Sequence, residues 1–335
     1  MTAPGGTHIA PDRALHDIQL PVRDALARVP DAMWSVAAVD LDLVTAVNTH
    51  LMGMRGKMFR PTLLLLASAA AGGTPSERAV RLAAVTELIH LATLVHDDSV
   101  DHSVLRRGQP TINSLFSHEV SVIMGDFLYI RAMAALVDDG DMEVLRVVTR
   151  ASSEMTVGEL RQLASYDALA FSEEDYERLI RAKTASLFTA SCEVGAIVGG
   201  GDHREALARY GDRLGRAFQI ADDLLDYTSH EDTTGKPHGL DLREHKVTLP
   251  LIAALRTMTR AERERVVALF DDPEPSDAII AEVTAIVAER GGLEYARRRG
   301  DEYAAEAEAA LASLPVGTVR TALGESISYV LDRRS

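Results

Sequence analysis

With a single cysteine, Cys192, the chain cannot close a disulfide on itself. That excludes the small disulfide-stapled secreted folds and suits a reducing, cytoplasmic setting. Aromatic residues are scarce, 5% against 47% hydrophobic residues in all, and the abundance of alanine and leucine favours helices over a β sandwich. Excess positive charge is missing as well. A formal charge of −15 removes the clustered cations that non-specific nucleic-acid binding requires, so no nucleic-acid partner is expected and any anionic substrate must be met by local basic groups and metal ions. No Pro/Gly/Ser-rich linker divides the chain after its first dozen residues. The expectation is a disordered N-terminus over 1–12 and one domain over 13–335. The opening residues have neither the basic nor the apolar region of a signal peptide, and the longest apolar run, Thr62–Gly73, is too short to cross a bilayer, so no stable membrane anchor is expected. No His/Cys group has zinc spacing, and no Gly-x-x-x-x-Gly-Lys-Ser/Thr loop occurs.

Convincing period-two strands are also lacking, whereas helix-period patterns recur along nearly the whole chain, which makes the fold class all-α. Helices are expected over about Arg13–Val29, interrupted at Pro21, and Ala37–Met52. Pro61–Ala71, apolar nearly all round, reads as central. Ser76 can cap a long helix running to three aspartates. Further helices are expected over Leu115–Val137 and Met142–Ala164, then from Ser172 through Lys183-Thr184 to Gly199, then over Arg204–Tyr227. Shorter amphipathic helices follow from Thr248.

What is there in unusual measure is a pair of acidic groups. Asp97, Asp98 and Asp101 end one apolar helix, and Asp222, Asp223 and Asp226 repeat the spacing in another. In each, the first and third aspartates lie one turn apart on one face. A solvated acidic face is the bland reading of one such group; two with apolar neighbours (Leu88, Ile89, Leu91, Leu94 and Val95; Phe218, Ile220, Leu224 and Leu225) imply buried carboxylates that need a cation. Oxygen-only ligands suit Mg²⁺, which commonly bridges carboxylates to substrate phosphates. Arg106 and Arg107 follow the first group at a loop fixed by Gly108 and Pro110, and guanidinium forks match phosphate oxygens. Lys57 and Arg60 read equally as surface charges or as ligands. Lys183 could be functional or snorkelling, and His90 could be a ligand or a hydrogen-bonded core histidine.

In order, the chain holds Gly56-Lys57-x-x-Arg60-Pro61, Asp97-Asp98-x-x-Asp101, Arg106-Arg107-Gly108-x-Pro110-Thr111, Lys183-Thr184, Phe218-Gln219-x-x-Asp222-Asp223-x-x-Asp226, Gly235-Lys236 and Lys246-x-Thr248-Leu249-Pro250. On these motifs it resembles the trans-polyprenyl diphosphate synthases, the head-to-tail prenyltransferases, from about Gly53 to Ile252 and more weakly beyond. The resemblance implies a single large antiparallel helical bundle of the isoprenoid synthase type with a central apolar cavity, a homodimer, and allylic and isopentenyl diphosphates as substrates. It implies that Asp97 and Asp101 bind two Mg²⁺ ions and Asp222 a third, with Asp98, Asp223 and Asp226 in support. Arg106, Lys183, Lys236 and Lys246 would hold the allylic diphosphate, and Lys57, Arg60, His90 and Arg107 that of isopentenyl diphosphate. Thr184 and Gln219 would line the reacting region, and Thr228–Lys246 would close over it. Two departures stand out: Arg55-Gly56-Lys57-Met58-Phe59-Arg60-Pro61 where the family usually has Gly-Gly-Lys-Arg-x-Arg-Pro, and His245-Lys246 where it usually has Gly-Lys.

Product length is expected to depend on the helix leading to Asp97. Ala92 and Thr93 are small where short-chain members carry bulky groups, so the first gate is open, with the stop expected among Met124, Phe127, Leu128 and Met133 and a product of about six to ten units, at roughly three helical residues per unit. The alternatives are a farnesyl or geranylgeranyl diphosphate synthase, a class I terpene cyclase, and a non-catalytic partner subunit of a heteromeric synthase.

Overall fold

Prolines and small polar residues set the helix boundaries. The computed structural model describes residues 11–54, 56–163, 168–228 and 239–332. Arg55 and Lys236 lie outside them, as do 1–10 of the expected disordered end and most of the expected closing segment. The first expected helix is broken into three pieces. Helix α1 (Pro11–Gln19) passes through a 3₁₀ turn at Leu20–Val22, begun by Pro21, into α2 (Arg23–Leu26), and Pro30 opens a separate α3 (Val29–Ala37). Then come α4 (Asp42–Gly53), α5 (Phe59–Gly72) and α6 (Glu77–Val100), the last capped as expected by Ser76 Oγ, which accepts from the Ala79 amide at 3.2 Å.

Between α6 and α7 (Ile112–Leu115) the expected loop contains a two-stranded hairpin, β1 (Leu105–Arg106) paired antiparallel with β2 (Gln109–Pro110). It is the only strand pairing among the described residues. Arg107 (φ 53°) and Gly108 (φ 73°) form its turn. Left-handed backbone at both central positions matches strand twist, but costs a non-glycine residue about 1 kcal/mol. Helices α8 (His118–Asp139) and α9 (Met142–Leu163) follow, and then α10 (Glu173–Ile180) with a Ser172/Asp175 capping box. Helix α10 runs through a π-helical segment, Arg181–Ala185, into α11 (Ser186–Gly199). Next come α12 (Arg204–Thr228), α13 (Leu240–Arg243), α14 (Leu249–Leu255), α15 (Arg260–Asp271), α16 (Asp277–Glu289), α17 (Gly292–Ala310) and α18 (Thr318–Asp332).

Helix α5 is the centre, with Leu63, Leu64, Leu65 and Leu66 all fully buried, and it packs along α11. The approach is close because Gly195 and Gly199 face it: a Cβ at Gly195 would lie 2.2 Å from the Leu64 carbonyl oxygen. Helix α6 lies antiparallel to α8. At one end Ser121 Oγ donates to the Val95 carbonyl (3.3 Å) and His96 Nε2 meets that of Val122 (3.2 Å). At the other, Arg78 clamps Asp139 and Asp141 at 2.7–2.8 Å. Helix α12 packs along α17 and α11. One connected set of buried apolar side chains runs from Ile18 to Val330.

Helices α6 and α8 are each long and apolar enough to cross a membrane, by length and composition. For α6 the cause is its place in the core. Helix α8 leaves an apolar outer face open, with Ile123, Ile130 and Val137 each more than 60% exposed.

Candidate active site

Both acidic groups sit at helix C-terminal ends. Asp97 and Asp98 are in the last turn of α6, Asp101 caps it, and Asp222, Asp223 and Asp226 occupy the last two turns of α12. Carboxylates there oppose the helix dipole, so both ends favour a cation. A cavity of about 450 Å³ lies between, lined by Asp101 from one group and Asp223 from the other, with Lys183, Thr184, Gln219 and Lys246. Burial pushes the Asp97 carboxyl up; Lys183 draws it down, and Glu159 and Asp101 raise it again. Among the described residues no three carboxylate, imidazole or thiolate side chains converge closely enough to hold an ion between them. The donor set nevertheless fits a hard divalent cation: oxygen-only, anionic and at the negative ends of two helices.

The middle aspartates face other partners. Asp98, buried, accepts Arg106 Nε with both oxygens, at 2.8 and 2.9 Å. It orients the guanidinium rather than pointing into the cavity. Asp223, also buried, accepts Tyr176 Oη at 2.5 Å and Gln219 Nε2 at 2.8 Å; burial, with Asp222 and Asp226 nearby, pushes its carboxyl up to about 7. Asp226 accepts the amides of Leu240 and Asp241 at 3.0 and 3.1 Å, pinning α13 and the return of the polar segment onto the end of α12. Asp241 stands there too, raised well above the carboxylate range by burial and by Asp223 and Asp226.

Lys183 and Thr184 project from the π-helical segment, a local widening that commonly marks functional positions. Lys183 Nζ lies 2.5 Å from Glu159, and Thr184 Oγ1 donates to Gln219 Oε1 at 2.6 Å. Thr184, Gln219, Asp223 and Tyr176 therefore form one chain of hydrogen bonds from the cavity wall to the second acidic group. Lys246 pairs with Glu244 at 2.5 Å and comes within 3.8 Å of Asp101. Burial alone would lower its ammonium, but those acidic neighbours raise it. The residue before it, His245, has φ 56°, a left-handed conformation natural to the family's usual glycine; its Nε2 lies 2.9 Å from the Asp272 carbonyl oxygen.

A second basic site forms behind the hairpin. Arg60 lies over Phe188 (4.8 Å) and Lys57 over Tyr329 (5.4 Å). Burial and Arg107 bring Arg60 down to about 10, against the pull of Glu87 and Asp222. Burial, together with Arg60, Arg107 and Arg106, holds His90 well below its ordinary value and hence neutral. The hairpin gives the two arginines different partners: Arg106 is on the strand, tied to Asp98, and Arg107 is in the turn, within electrostatic reach of Glu87, while both act on His90. Ala92 is fully buried on α6 and Thr93 is half-buried with its hydroxyl on the His90 carbonyl (2.7 Å); neither lines the 450 Å³ cavity.

Glu87, Glu159, Tyr176 and Asp241 were not singled out by motif spacing. Glu87 does have a signal, ten residues before Asp97 on the α6 stripe that passes through His90; Tyr176 has none, because only tertiary packing brings it to Asp223.

The family description Polyprenyl synthetase matches residues 42–287. The all-trans-nonaprenyl-diphosphate synthase (geranyl-diphosphate specific) of Rhodobacter capsulatus is 39% identical over 95% of this chain and 97% of its own length. The short chain isoprenyl diphosphate synthase of Methanothermobacter thermautotrophicus is 34% identical over 89% and 93%. A polyprenyl synthase from Caulobacter crescentus, solved with calcium and isoprenyl diphosphate, superposes with a TM-score of 0.90 at 36% identity, covering 96% of this chain and 98% of that one. The chain therefore belongs to the polyprenyl synthetase family, as a prenyltransferase of the trans-polyprenyl diphosphate synthase class.

Proposed function

We propose that this protein joins an allylic diphosphate head to tail to isopentenyl diphosphate and repeats the addition to an all-trans polyprenyl diphosphate of about six to ten units. The observation that carries the reading is the division of charge: two acidic helix ends meet at one cavity with Lys183 and Lys246 in its wall, while Arg60 and Arg107 gather with His90 outside that cavity, a second basic position for a second diphosphate. A cyclase needs only one. Asp97, Asp101 and Asp222 would hold Mg²⁺, three ions on this reading, whose chemistry is to offset charge developing on the departing diphosphate. Asp98 acts through Arg106, Asp223 through Gln219, and Asp226 by pinning α13.

On the allylic side, Arg106, Lys183 and Lys246 take the diphosphate oxygens; Lys236, outside the described residues, is assigned there by its motif. Lys57, Arg60, neutral His90 and Arg107 hold the isopentenyl diphosphate so that its π bond faces the ionising carbon, with Thr184 and Gln219 alongside. Positioning and electrostatic stabilisation provide the catalysis, and no nucleophilic side chain is needed. A proton leaves the adduct for the departing diphosphate. The residues from 13 to 335 act as one domain, cytoplasmic and without a membrane anchor, paired as a homodimer through the apolar outer face of α8.

Chain length rests on the gate, since relatives of comparable identity include a short-chain enzyme. Incubating the protein with Mg²⁺, farnesyl or geranylgeranyl diphosphate and labelled isopentenyl diphosphate, then sizing the dephosphorylated products, tests the whole reading. Products of six or more units support it; a cyclic hydrocarbon from the allylic substrate alone, or no Mg²⁺-dependent turnover, overturns it.

A further inference from the structure

One carboxylate sits among the cations of the second basic site. Glu87 is on α6, one turn before His90. Its Oε2 and Arg60 Nε are both buried without a hydrogen-bond partner, a rare condition for groups of this polarity. Glu87 lies within electrostatic reach of Arg60 and Arg107, and burial pushes its carboxyl up against their pull. Gly56 brings the basic turn onto the same spot: a Cβ there would lie 3.1 Å from Arg107 Nη1 and 3.6 Å from Glu87 Oε1. Four elements thus converge on Glu87: the turn at Gly56, the start of α5, the middle of α6 and the hairpin.

Building on the function proposed above, we infer that Glu87 is a positioning residue for the isopentenyl diphosphate subsite, holding Arg60 and Arg107 in the spacing that a diphosphate bridges. Two guanidiniums and a buried imidazole repel or ignore one another, so without an anion between them the arginines have no reason to stay converged. A carboxylate beside an anion subsite costs binding energy through direct repulsion. Its presence is accounted for if the order it imposes on the two arginines exceeds that cost, because a fork already aimed loses less entropy on binding.

The two effects have opposite signs, which makes the inference testable. Isopentenyl diphosphate binding is measured by calorimetry in EDTA, and steady-state kinetics with each substrate varied in Mg²⁺, for the full chain, Glu87→Gln and Glu87→Asp. Positioning predicts that Glu87→Gln weakens isopentenyl diphosphate binding and raises its KM roughly tenfold, the scale of about one pK unit of buried charge–charge interaction. The KM for the allylic diphosphate and the saturated kcat should stay within about twofold, and Glu87→Asp should recover part of the loss. Equal or tighter binding by Glu87→Gln would mean that Glu87 is only a counter-charge. Parallel changes in both KM values, or failure of both variants to fold, would make its role structural; either overturns the inference. If the unaltered chain binds isopentenyl diphosphate but makes no product, the functional reading fails while the subsite survives.

Discussion

Replacing Ala92 with phenylalanine should convert the protein into a short-chain synthase. Ala92 is fully buried on α6, and the contacts of Val95 with Ser121 and of His96 with Val122 set it opposite Gly125–Leu128 of α8. Gly125 lets His96 approach α8 one turn above: a Cβ on it would lie only 2.3 Å from His96 Nε2. A phenylalanine side chain in α6 leans toward the N-terminus of the helix, away from Asp97 and into the path of a growing chain. Residue 92 is five residues below Asp97, about 7.5 Å along the helix, so a bulky group there blocks the path near its top. Products of about three to four units are expected in place of six to ten. Overpacking should cost about 1–3 kcal/mol, so a thermal melt distinguishes a folded variant from a collapsed one. The assay is reversed-phase separation of dephosphorylated, labelled products. A folded Ala92→Phe enzyme with an unchanged product distribution would refute the placement of the chain beside α6.

Tyr176→Phe removes a hydrogen bond that lowers the Asp223 carboxyl from where burial would set it. Asp223 should then hold its proton to higher pH, moving the acidic limb of the kcat profile upward; a limb that stays in place counts against Asp223 as the titrating group. Arg107→Gly should separate stability from binding, gaining up to about 1 kcal/mol from relief of left-handed backbone while raising the KM for isopentenyl diphosphate; a fall in both would refute the turn strain. Asp139 and Asp141 are held below the carboxylate range chiefly by hydrogen bonds from Arg78. The stability they contribute is present above the unfolded carboxylate pKa, about 4, and lost as pH falls through their depressed folded values. Arg78→Ala should cost roughly 1.5–3 kcal/mol at neutral pH and flatten the acid side of a Tm-against-pH curve.

The bundle and its acidic ends were legible because their signals are local and repeated. Ser76 caps α6 by a rule three residues long, and the duplicated aspartate spacing needs only helical periodicity. What escaped depends on contacts between distant segments. Asp98 and Asp226 look like their neighbours in sequence, yet Arg106 occupies one and the amides of Leu240 and Asp241 occupy the other. The hairpin reads as a loop in sequence because its strands have two residues each, too short for alternation to show. The break at Pro21 is legible in the sequence, whereas the separate α3 is not, because it starts at the residue where the first helix is expected to end, with Pro30 in its first turn. His245 is the instructive departure: sequence marks the exchange for the family's usual glycine, and its φ of 56° shows why glycine suits that position.

The α6–α8 register also bears on where elongation stops. With Val95 beside Ser121 and Arg78 clamped to Asp139, the pairing puts Met124 level with Thr93, Leu128 near Ile89 and Met133 near Val85. Met124 and Phe127 are therefore at the first gate, not below it, and Met133 is the deepest of the four expected stops. Helix α6 has 24 residues, about 36 Å, and at roughly 5 Å per unit its whole length accompanies about seven isoprene units. A product at the lower end of the proposed range fits alongside α6. One of nine or ten units outruns it by roughly 10–15 Å and must bend or emerge where Arg78 grips Asp139 and Asp141. On this geometry a long-chain outcome requires that ionic clasp to border the exit. Loosening it with Arg78→Ala should then change the longest products while leaving those of three to four units untouched.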